Sequence, residues 1–230
     1  MNFSISKTSV IGPAHLDLDL PNQDAVASKK RNGRWVVAVA DGMGSRRLSH
    51  LGSKLATNLA VSCCLDNSED VSAKELITDI YTQWLTGLYE INIEPNDAVT
   101  TLLVTWGNSK GDYRYIQLGD GVICSSNNNH SISEDELFSN ETTGLGLSKK
   151  LSDWRTGRGK LDKANIGLIL MTDGISEDIE DQLGFCNSIL KRAQKGSLRA
   201  VKKNLKGLLH NWPTPHHTDD KTIAVVLINE

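Results

Sequence analysis

Acidic residues at the ends of strand-like runs are the side chains in this sequence with the clearest capacity for chemistry. Asp41 ends the apolar run of residues 34–40, and Asp173 closely follows the run of residues 166–171. Further carboxylates in similar positions are Asp24, Asp120, Asp219 and Asp220. A carboxylate beside a buried strand is costly unless a turn, a cation or a metal ion pairs with it. The sequence must therefore provide one of these partners.

A tight turn is the simplest partner for any one of these residues, because Asp-Gly is the commonest hairpin signal. A hairpin, however, needs a second strand directly after the turn. Asp41-Gly42 instead leads into "MGSRRLSH" and a helical pattern, and Asp173-Gly174 leads into the helix-like "ISEDIEDQL". Several carboxylates at one end of a sheet would repel one another unless a multivalent cation neutralised them. These observations favour a cation beside Asp41 and Asp173.

The kind of cation follows from the available ligands. Oxygen ligands without His or Cys clusters select hard cations such as Mg²⁺ or Mn²⁺ rather than Zn²⁺ or Cu²⁺. None of the six histidines has zinc-site spacing, and we interpret His216 and His217 as exposed residues without a role. Cys63 and Cys64 are adjacent and too close for a relaxed disulfide, and all four cysteines are predicted to be reduced. The residues alone therefore predict a hard-metal site, commonly used for chemistry on phosphate, but they do not choose the reaction.

Composition and charge limit the class of protein. The 230 residues are 39% hydrophobic and 23% charged, which is typical of one large domain or two small ones with a core that needs no disulfides. The net charge of −3 provides no basic field that would attract nucleic acid or an anionic membrane. The N terminus has no signal-like pattern, and no apolar run approaches the ~18 residues of a membrane span. We therefore expect a cytoplasmic protein that binds neither nucleic acid nor a membrane.

The elements that carry these carboxylates show both strand and helix patterns. Runs rich in β-branched residues predict strands at residues 34–40, 100–106, 112–118, 121–125, 166–171 and 222–228. Apolar spacing predicts helices at residues 49–65 and 72–91, the second with a capping box of Ser72 and Glu75. A further helical pattern covers residues 178–212 and is broken near residue 196. This order favours antiparallel sheets with helices packed outside them over a regular βαβ arrangement.

Six short motifs in a fixed order connect the carboxylates to a known family. They are "NQDA", "VADGMGS", "TTLLV", "GDG", "TDGISED" and "DDKT". Together they resemble the motif series of the type 2C, metal-dependent serine/threonine protein phosphatases, the PPM family, over residues 12–228. The stretch "GPAHLDLDLPNQDA" with "DDKT" is most similar to a bacterial branch. The resemblance implies one domain over residues 1–230 with an α+β fold, a four-layer α/β/β/α sandwich of two antiparallel sheets flanked by helices.

The resemblance also implies roles for the carboxylates. Asp41 would bridge two Mn²⁺ or Mg²⁺ ions, with the Gly42 carbonyl as another ligand, and Asp173 and Asp219 would complete the metal centre. Asp120 matches the position that can help to hold a third, weaker ion, although the usual G-D-S-R reads "GDGV" here. The apolar run would therefore stop at Asp41 because the ions bind there.

Catalysis by such a family member would use Asp24 to orient the attacking water, while Asp41 and Asp173 hold the ions that activate it. In-line attack on phosphorus needs no phosphoenzyme, and the sequence lacks the G-x-S-x-G and C-x5-R patterns of nucleophilic alternatives. Gln23 stands where many members have Glu, which would weaken one water-mediated metal contact. Met43 replaces a His of the animal members, so water would protonate the leaving oxygen.

The residue that binds the substrate phosphate is harder to assign. The Arg that many relatives use has no clear match, and His15 is either its substitute or a buried structural histidine. Arg46 and Arg47 follow the metal loop and either steer a phosphopeptide or lie on a solvated surface. Residues 187–218 contain seven Lys or Arg and no acidic residue. That pattern is typical of a solvated helix face, with docking of an acidic partner as the alternative.

The function predicted from these features is metal-dependent hydrolysis of phosphoserine and phosphothreonine in proteins. The partner would be a phosphoprotein, either a serine/threonine kinase or one of its targets. Gln23, Gly121 and the missing Arg support a second hypothesis, a catalytically weak relative that acts as a regulatory binding module. Retention of Asp41, Asp173 and Asp219 argues against it. A phosphatase that acts on a small molecule is a third hypothesis.

Overall fold

Two antiparallel sheets pack face to face, and helices cover the outer face of each sheet. The computed structural model describes residues 1–131, 143–213 and 218–229. The strands are β1 (Asn2–Val10), β2 (Ala25–Arg31), β3 (Arg34–Ala40), β4 (Leu102–Asn108), β5 (Asp112–Leu118), β6 (Val122–Ser125), β7 (Trp154–Lys160), β8 (Gly167–Met171) and β9 (Lys221–Asn229). The helices are α1 (Pro13–Asp17), α2 (Ser49–Asp66), α3 (Ala73–Glu90), α4 (Asp173–Ser176), α5 (Gln182–Gln194) and α6 (Leu198–His210). This arrangement confirms the predicted α/β/β/α sandwich.

The four layers are held together by three apolar clusters. The first sheet has the order β1-β9-β8-β6 and the second β2-β3-β4-β5-β7, with every neighbouring pair antiparallel. Between the sheets, side chains such as Trp35, Leu103 and Val226 interdigitate. Helices α2 and α3 cover the second sheet, and α5 and α6 cover the first. Each cluster stabilises the fold by about 25 cal/mol for every Å² of apolar surface that it buries.

All six predicted strands are present, as β3, β4, β5, β6, β8 and β9, with ends within two residues of the predictions. The structure adds β1, β2 and β7, which were not predicted as strands. All three lie at sheet edges. An edge strand has a neighbour on one side only and commonly carries polar or charged residues, as these three do, whereas the edge strand β6 is buried and keeps the apolar run that predicted it. In β7, Gly157 and Gly159 lie opposite Tyr115 and Tyr113, and a side chain at either glycine would overlap the tyrosine ring.

The predicted helices are also present. The Ser72 side chain accepts a hydrogen bond from the Glu75 backbone N–H at 3.1 Å, and the Glu75 carboxylate accepts one from the Ser72 N–H at 3.1 Å. This reciprocal pair confirms the capping box at the start of α3. The helical pattern of residues 178–212 corresponds to α5 and α6, but α5 begins only at Gln182, and residues 177–181, which were predicted to be helix-like, are not helical. Ser197 caps α6. Within the described residues, no helix combines the length and apolar character that crossing a bilayer requires.

Strand direction brings the acidic residues to one edge of the sandwich. In the second sheet β4 is antiparallel to both β3 and β5, so β3 and β5 run in the same direction and end at the same edge. In the first sheet β9 is antiparallel to β1 and β8, so its start lies beside their ends. The residues that follow β3, β5 and β8 and those that precede β9 therefore meet, although they are far apart in sequence.

Candidate metal centre

Four carboxylates line one cavity at this edge. Its volume is about 180 Å³, and Asp41, Asp120, Asp173 and Asp219 contribute to its wall. The remaining lining residues are Met43, Gly44, Val99, Thr100, Thr101, Thr143 and Gly144. The predicted metal ligands with carboxylate side chains are thus brought together, one from each of four chain segments. A cavity of this size and polarity accommodates cations and a phosphoryl group.

Asp41 is held in place through its backbone. Its N–H donates to Thr101 Oγ1 at 2.9 Å, and its carbonyl accepts from Thr100 Oγ1 and Thr101 N–H, both at 2.8 Å. These bonds fix the Asp41 backbone at the end of β3 and leave its carboxylate available to the cavity that Asp41 lines. Burial raises the pKa of Asp41 well above the ordinary value of 3.8, and the negative charges of Asp24 and Asp173 raise it further. A divalent cation would reverse that penalty.

Gly42 follows Asp41 in a tightly packed position. Its N–H donates to the Gln23 carbonyl at 3.1 Å, and a Cβ at this position would lie 2.8 Å from that carbonyl oxygen and from Ser49 Cβ. Real side chains do not tolerate such approaches, so the fold requires glycine here. The Asp41-Gly42 backbone consequently lies between the Gln23 segment and the start of α2, next to the cavity.

Asp24 lies behind the cavity and is 8% exposed. Its Oδ2 accepts a hydrogen bond from Thr172 Oγ1 at 2.9 Å, while its Oδ1 is buried with no hydrogen-bond partner among the described residues. Burial is the largest cause of a pKa raised well above 3.8, and the charges of Asp220 and Asp173 add to it. A buried carboxylate oxygen without a donor is rare and indicates a place for a bound water or cation.

Asp173 and Asp219 face each other across the junction of β8 and β9. Asp173 begins α4, where its Oδ1 accepts from the Gly174 N–H at 2.7 Å. Asp219 Oδ1 accepts from the Asp220 N–H at 2.7 Å, and burial raises the pKa of Asp219. Each carboxylate therefore uses one oxygen locally and retains acceptor capacity for a ligand in the cavity.

Asp120 lies in the turn between β5 and β6, with its flanking glycines at positive φ. Gly119 has φ +84° and Gly121 has φ +89°, a backbone region that favours glycine. A Cβ at Gly121 would also approach the Met171 carbonyl to 2.8 Å. The sequence "GDGV" therefore suits this turn, which places Asp120 in the cavity wall.

Asp220 was named from the sequence only as a carboxylate beside a strand, and the structure shows its contacts in the site. It is 1% exposed and accepts hydrogen bonds from the Gly12 N–H at 2.7 Å and the Gln23 N–H at 2.5 Å. Its Oδ2 also lies 2.8 Å from His15 Nδ1. The signal in the sequence was the second Asp of "DDKT" directly before a buried strand. Asp220 ties the N-terminal loop to the start of β9 and so fixes its neighbour Asp219.

His15 is buried in this cluster, with 7% of its surface exposed. Its Nε2 lies 3.5 Å from Asp219 Oδ1, and donor atoms of His15, Asp219 and Asp220 all lie within 4.8 Å of one another. His15 is not among the residues that line the cavity. The geometry places it behind Asp219, a metal-ligand candidate.

Arg46 lies on the loop that leaves the cavity. Its N–H donates to the Met43 carbonyl at 2.9 Å, and its buried Nε has no hydrogen-bond partner among the described residues. Arg47 is exposed. Neither residue is in the cavity wall. The interpretation of His216 and His217 as exposed concerns residues outside the described part of the chain.

A wider cleft adjoins the cavity and was not predicted. It has a volume of about 700 Å³ and shares Met43 and Thr143 with the cavity wall. Leu147, Ser148, Lys149, Lys150 and Asp153 form the rest of its lining. The pair of exposed lysines lies in an irregular Ser- and Gly-containing segment, where no periodic pattern marks them. They bring positive charge to the neighbourhood of the acidic cavity.

Comparison with protein families defines the class. A family model described as protein phosphatase 2C matches residues 11–210. The chain therefore belongs to the protein phosphatase 2C family, which confirms the resemblance inferred from the six motifs. The enzymes of this class are protein phosphatases, and they act on phosphoprotein substrates.

Solved structures agree on the fold. A bacterial serine phosphatase is 18% identical, with a TM-score of 0.72 and 99% of each chain covered. The catalytic domain of the serine/threonine protein phosphatase PstP, in complex with two manganese ions, is 17% identical, with a TM-score of 0.72 and 99% of each chain covered. RsbX in complex with magnesium is 17% identical, with a TM-score of 0.63, covering 98% of this chain and 94% of its own. Curated proteins gave no significant match.

Proposed function

We propose that this protein hydrolyses phosphoserine and phosphothreonine in proteins and depends on Mn²⁺ or Mg²⁺. The observation that carries the proposal is the convergence of Asp41, Asp120, Asp173 and Asp219 on one small cavity. Such a density of carboxylates needs compensating cations, and the oxygen-only donor set suits hard ions. Mn²⁺ and Mg²⁺ are the ions present in the PstP and RsbX structures.

The residues that would hold the ions are those that the motifs indicate. Asp41, the Gly42 carbonyl, Asp173 and Asp219 would bind two ions, and Asp120 would help to hold a third. The raised pKa values of Asp41 and Asp219 support this assignment, because burial disfavours their charged forms until a cation is bound. When bound, such ions neutralise phosphoryl oxygens and lower the pKa of water.

Asp24, behind the cavity wall, would orient the attacking water. Its Oδ1 is buried and without a donor, while Thr172 fixes the other oxygen. A carboxylate with one oxygen anchored and one free accepts a hydrogen bond from water in a defined direction. Met43 offers no acidic proton, so the leaving oxygen takes its proton from water.

The surroundings of the cavity support a protein substrate. The cavity of about 180 Å³ suits a phosphoryl group, and the adjoining cleft of about 700 Å³ can hold the chain that carries it. Lys149 and Lys150 in the cleft, with Arg46 on the neighbouring loop, are candidates to attract phosphate in place of the missing Arg. His15 would act indirectly by holding Asp219. The partner would be a phosphorylated cytoplasmic protein, either a serine/threonine kinase or one of its targets.

The test is hydrolysis of p-nitrophenyl phosphate and of a phosphothreonine peptide, with Mn²⁺ and with EDTA, beside Asp41→Ala. We expect activity with Mn²⁺ that EDTA and Asp41→Ala both abolish. Equal, near-zero rates for both proteins would instead favour the regulatory binding module. The neutral Gln23 supports that alternative, although its buried Oε1 has no donor among the described residues and still offers an acceptor. High turnover of small phosphate esters without turnover of phosphopeptides would indicate a metabolite phosphatase.

A further inference from the structure

A second concave site lies at the far end of the strands from the metal centre. Its volume is about 900 Å³, and it is formed by the start of β1, the end of β9, part of β2 and the turn between α5 and α6. β1 enters this groove at Phe3 and ends at Val10, two residues before the Gly12 that donates to Asp220. Seven steps of extended strand correspond to about 23 Å. Phe3 therefore lies about that far from Val10, and Ser6, the lining residue of β1 nearest to Val10, lies about 13 Å from it, so the groove is separate from the cavity.

The rim of this basic groove carries Lys29, Lys30 and Lys195, all exposed. Among the described residues, none of these lysines has a carboxylate within ion-pair distance, and no acidic residue lines the groove. Lys30 Nζ donates to the Phe3 carbonyl at 2.5 Å, which holds its charge over the mouth of the groove. The described residues around the groove thus carry positive charge, although the chain has a net charge of −3.

Neighbouring residues extend this positive charge. Helix α6 packs on β1 and exposes Arg199, Lys202 and Lys203. The pKa of Lys7 on β1 is lowered, first by partial burial and second by the charge of Lys202. Such mutual repulsion between cations is relieved when an anionic ligand binds beside them.

The basic groove also presents apolar side chains, among serine, glutamine and asparagine side chains. Leu198 is 52% exposed there, and Ile5 and Ile228 are partly exposed beside it. Exposed lysines beside Leu198, Ile5 and Ile228 fit an extended peptide that alternates acidic and apolar residues. Phe3 is the one aromatic residue among the described lining residues, and it is 4% exposed. The groove thus offers no platform for stacking bases, which favours a peptide over a nucleic acid.

We propose that the basic groove binds an acidic, partly apolar segment of the phosphoprotein, well separated from the phosphorylated residue. Identifying the bound protein as a substrate rests on the function proposed above, whereas binding of the segment does not. The groove would lower KM for proteins that carry such a segment and leave the chemical step unchanged. The enzyme could then distinguish phosphoproteins whose residues around the phosphorylated side chain are the same, which the small cavity alone could not do.

The first test measures binding to the metal-free protein, so that it is independent of catalysis. The probe is a fluorescein-labelled peptide in which Glu alternates with Leu over about ten residues, long enough to follow the groove. We expect Lys29→Glu/Lys195→Glu to weaken binding at least about tenfold at low salt, with a smaller difference at high salt. The matched control is Lys54→Glu/Lys74→Glu on α2 and α3, which carries the same charge change and should bind like the unchanged protein.

Several outcomes would overturn the proposal. Equal weakening by both double variants would show a general effect of net charge, and absence of peptide binding would show that the groove is only a solvated surface. A single-stranded oligonucleotide that bound more tightly and displaced the peptide would make this a nucleic-acid site. Hydrogen exchange of the complex should protect β1 near Phe3 and Ile5, and protection confined to the metal centre would also contradict the assignment.

The second test joins the two sites. A phosphothreonine peptide is linked to the Glu-Leu segment by a flexible spacer that spans about 23 Å or more. We expect the linked substrate to have a KM at least about fivefold lower than the unlinked one with the same kcat, because docking raises the effective concentration of the phosphosite. Lys29→Glu/Lys195→Glu should remove that advantage. An unchanged KM would overturn docking of substrate, whereas loss of all turnover with intact peptide binding would count against the proposed function alone.

Discussion

The metal centre and the basic groove concentrate charge at the two ends of one sandwich, with opposite energetic consequences. At the metal centre, burial raises the pKa values of Asp24, Asp41 and Asp219. In the basic groove, Lys29 and Lys195 are exposed, and water and salt screen them. Burial, rather than the number of charges, therefore decides whether a cluster requires a counter-ion. The acidic end would therefore need bound cations, and the basic end would bind the proposed partner weakly and reversibly.

The largest expected effect is on catalysis, from Asp24→Asn. This change keeps the shape of the side chain and an acceptor for Thr172 but removes the negative charge that orients water. We expect kcat with Mn²⁺ to fall about 10²-fold or more, with Mn²⁺ affinity by calorimetry changed only a few-fold. The control is Asp162→Asn on the surface, which should keep full activity. A kcat near that of the unchanged protein would remove Asp24 from the catalytic residues.

The next effect concerns the buried anchor of the acidic end. Asp220→Ala leaves two backbone N–H groups and His15 without their acceptor, so we expect it to lower the free energy of unfolding by about 3 kcal/mol in urea titrations. Asp66→Ala removes a carboxylate whose side chain is 65% exposed and should cost about 0.5 kcal/mol. Similar losses of unfolding free energy for the two variants would contradict the conclusion that burial sets the cost of removing a carboxylate.

A smaller effect tests the repulsion among the carboxylates directly. Because the pKa values of Asp24 and Asp41 are raised by folding, the folded state keeps protons that the unfolded state releases. In EDTA their contribution to stability is therefore greatest in acid and is lost as the pH rises through the raised values. Asp41→Asn should raise the metal-free free energy of unfolding by about 1 kcal/mol at pH 8 and by less at pH 5. Destabilisation at pH 8 would show that the repulsion is not the dominant cost.

The smallest expected effect comes from neutralising the basic groove. Lys29→Gln/Lys195→Gln should change the free energy of unfolding by no more than about 0.5 kcal/mol, because exposed charges contribute little to stability. Urea titrations at low and high salt measure this. A marked stabilisation at low salt would mean that the lysines repel one another as strongly as buried groups do. It would contradict the statement that exposure and screening distinguish the basic groove from the acidic cavity.

The elements predicted from the sequence were those with a strong pattern of apolar residues. The buried strands β3, β8 and β9 carry continuous apolar runs, and α3 carries both an apolar stripe and a capping box. The edge strands β1 and β7 alternate with Ser, Lys, Arg or Gly and were missed. Their pairing with β9 and β5 depends on hydrogen bonds to distant segments, which local residue preferences do not encode.

The candidate site residues predicted from the sequence were those that lie in the recognised motifs. Asp41, Asp120, Asp173 and Asp219 were named from their positions beside strand ends, and the structure brings all four to one cavity. Asp220 was not assigned, because its importance lies in accepting from Gly12 and Gln23, about two hundred residues away in sequence. Lys149 and Lys150 were missed because an irregular segment gives them no pattern.

The sequence by itself determined the family and the main strands and helices and predicted a hard-metal site, since these follow from residue types and from short-range order along the chain. The tertiary structure decided which side chains are buried together. Packing leaves Asp24 Oδ1 without a hydrogen-bond partner among the described residues, and it makes Asp220 the acceptor for Gly12 and Gln23. It also decided that lysines from β2 and from the turn between α5 and α6 surround one groove. Burial and proximity depend on how distant segments pack, and that packing sets the cost and the use of each charge.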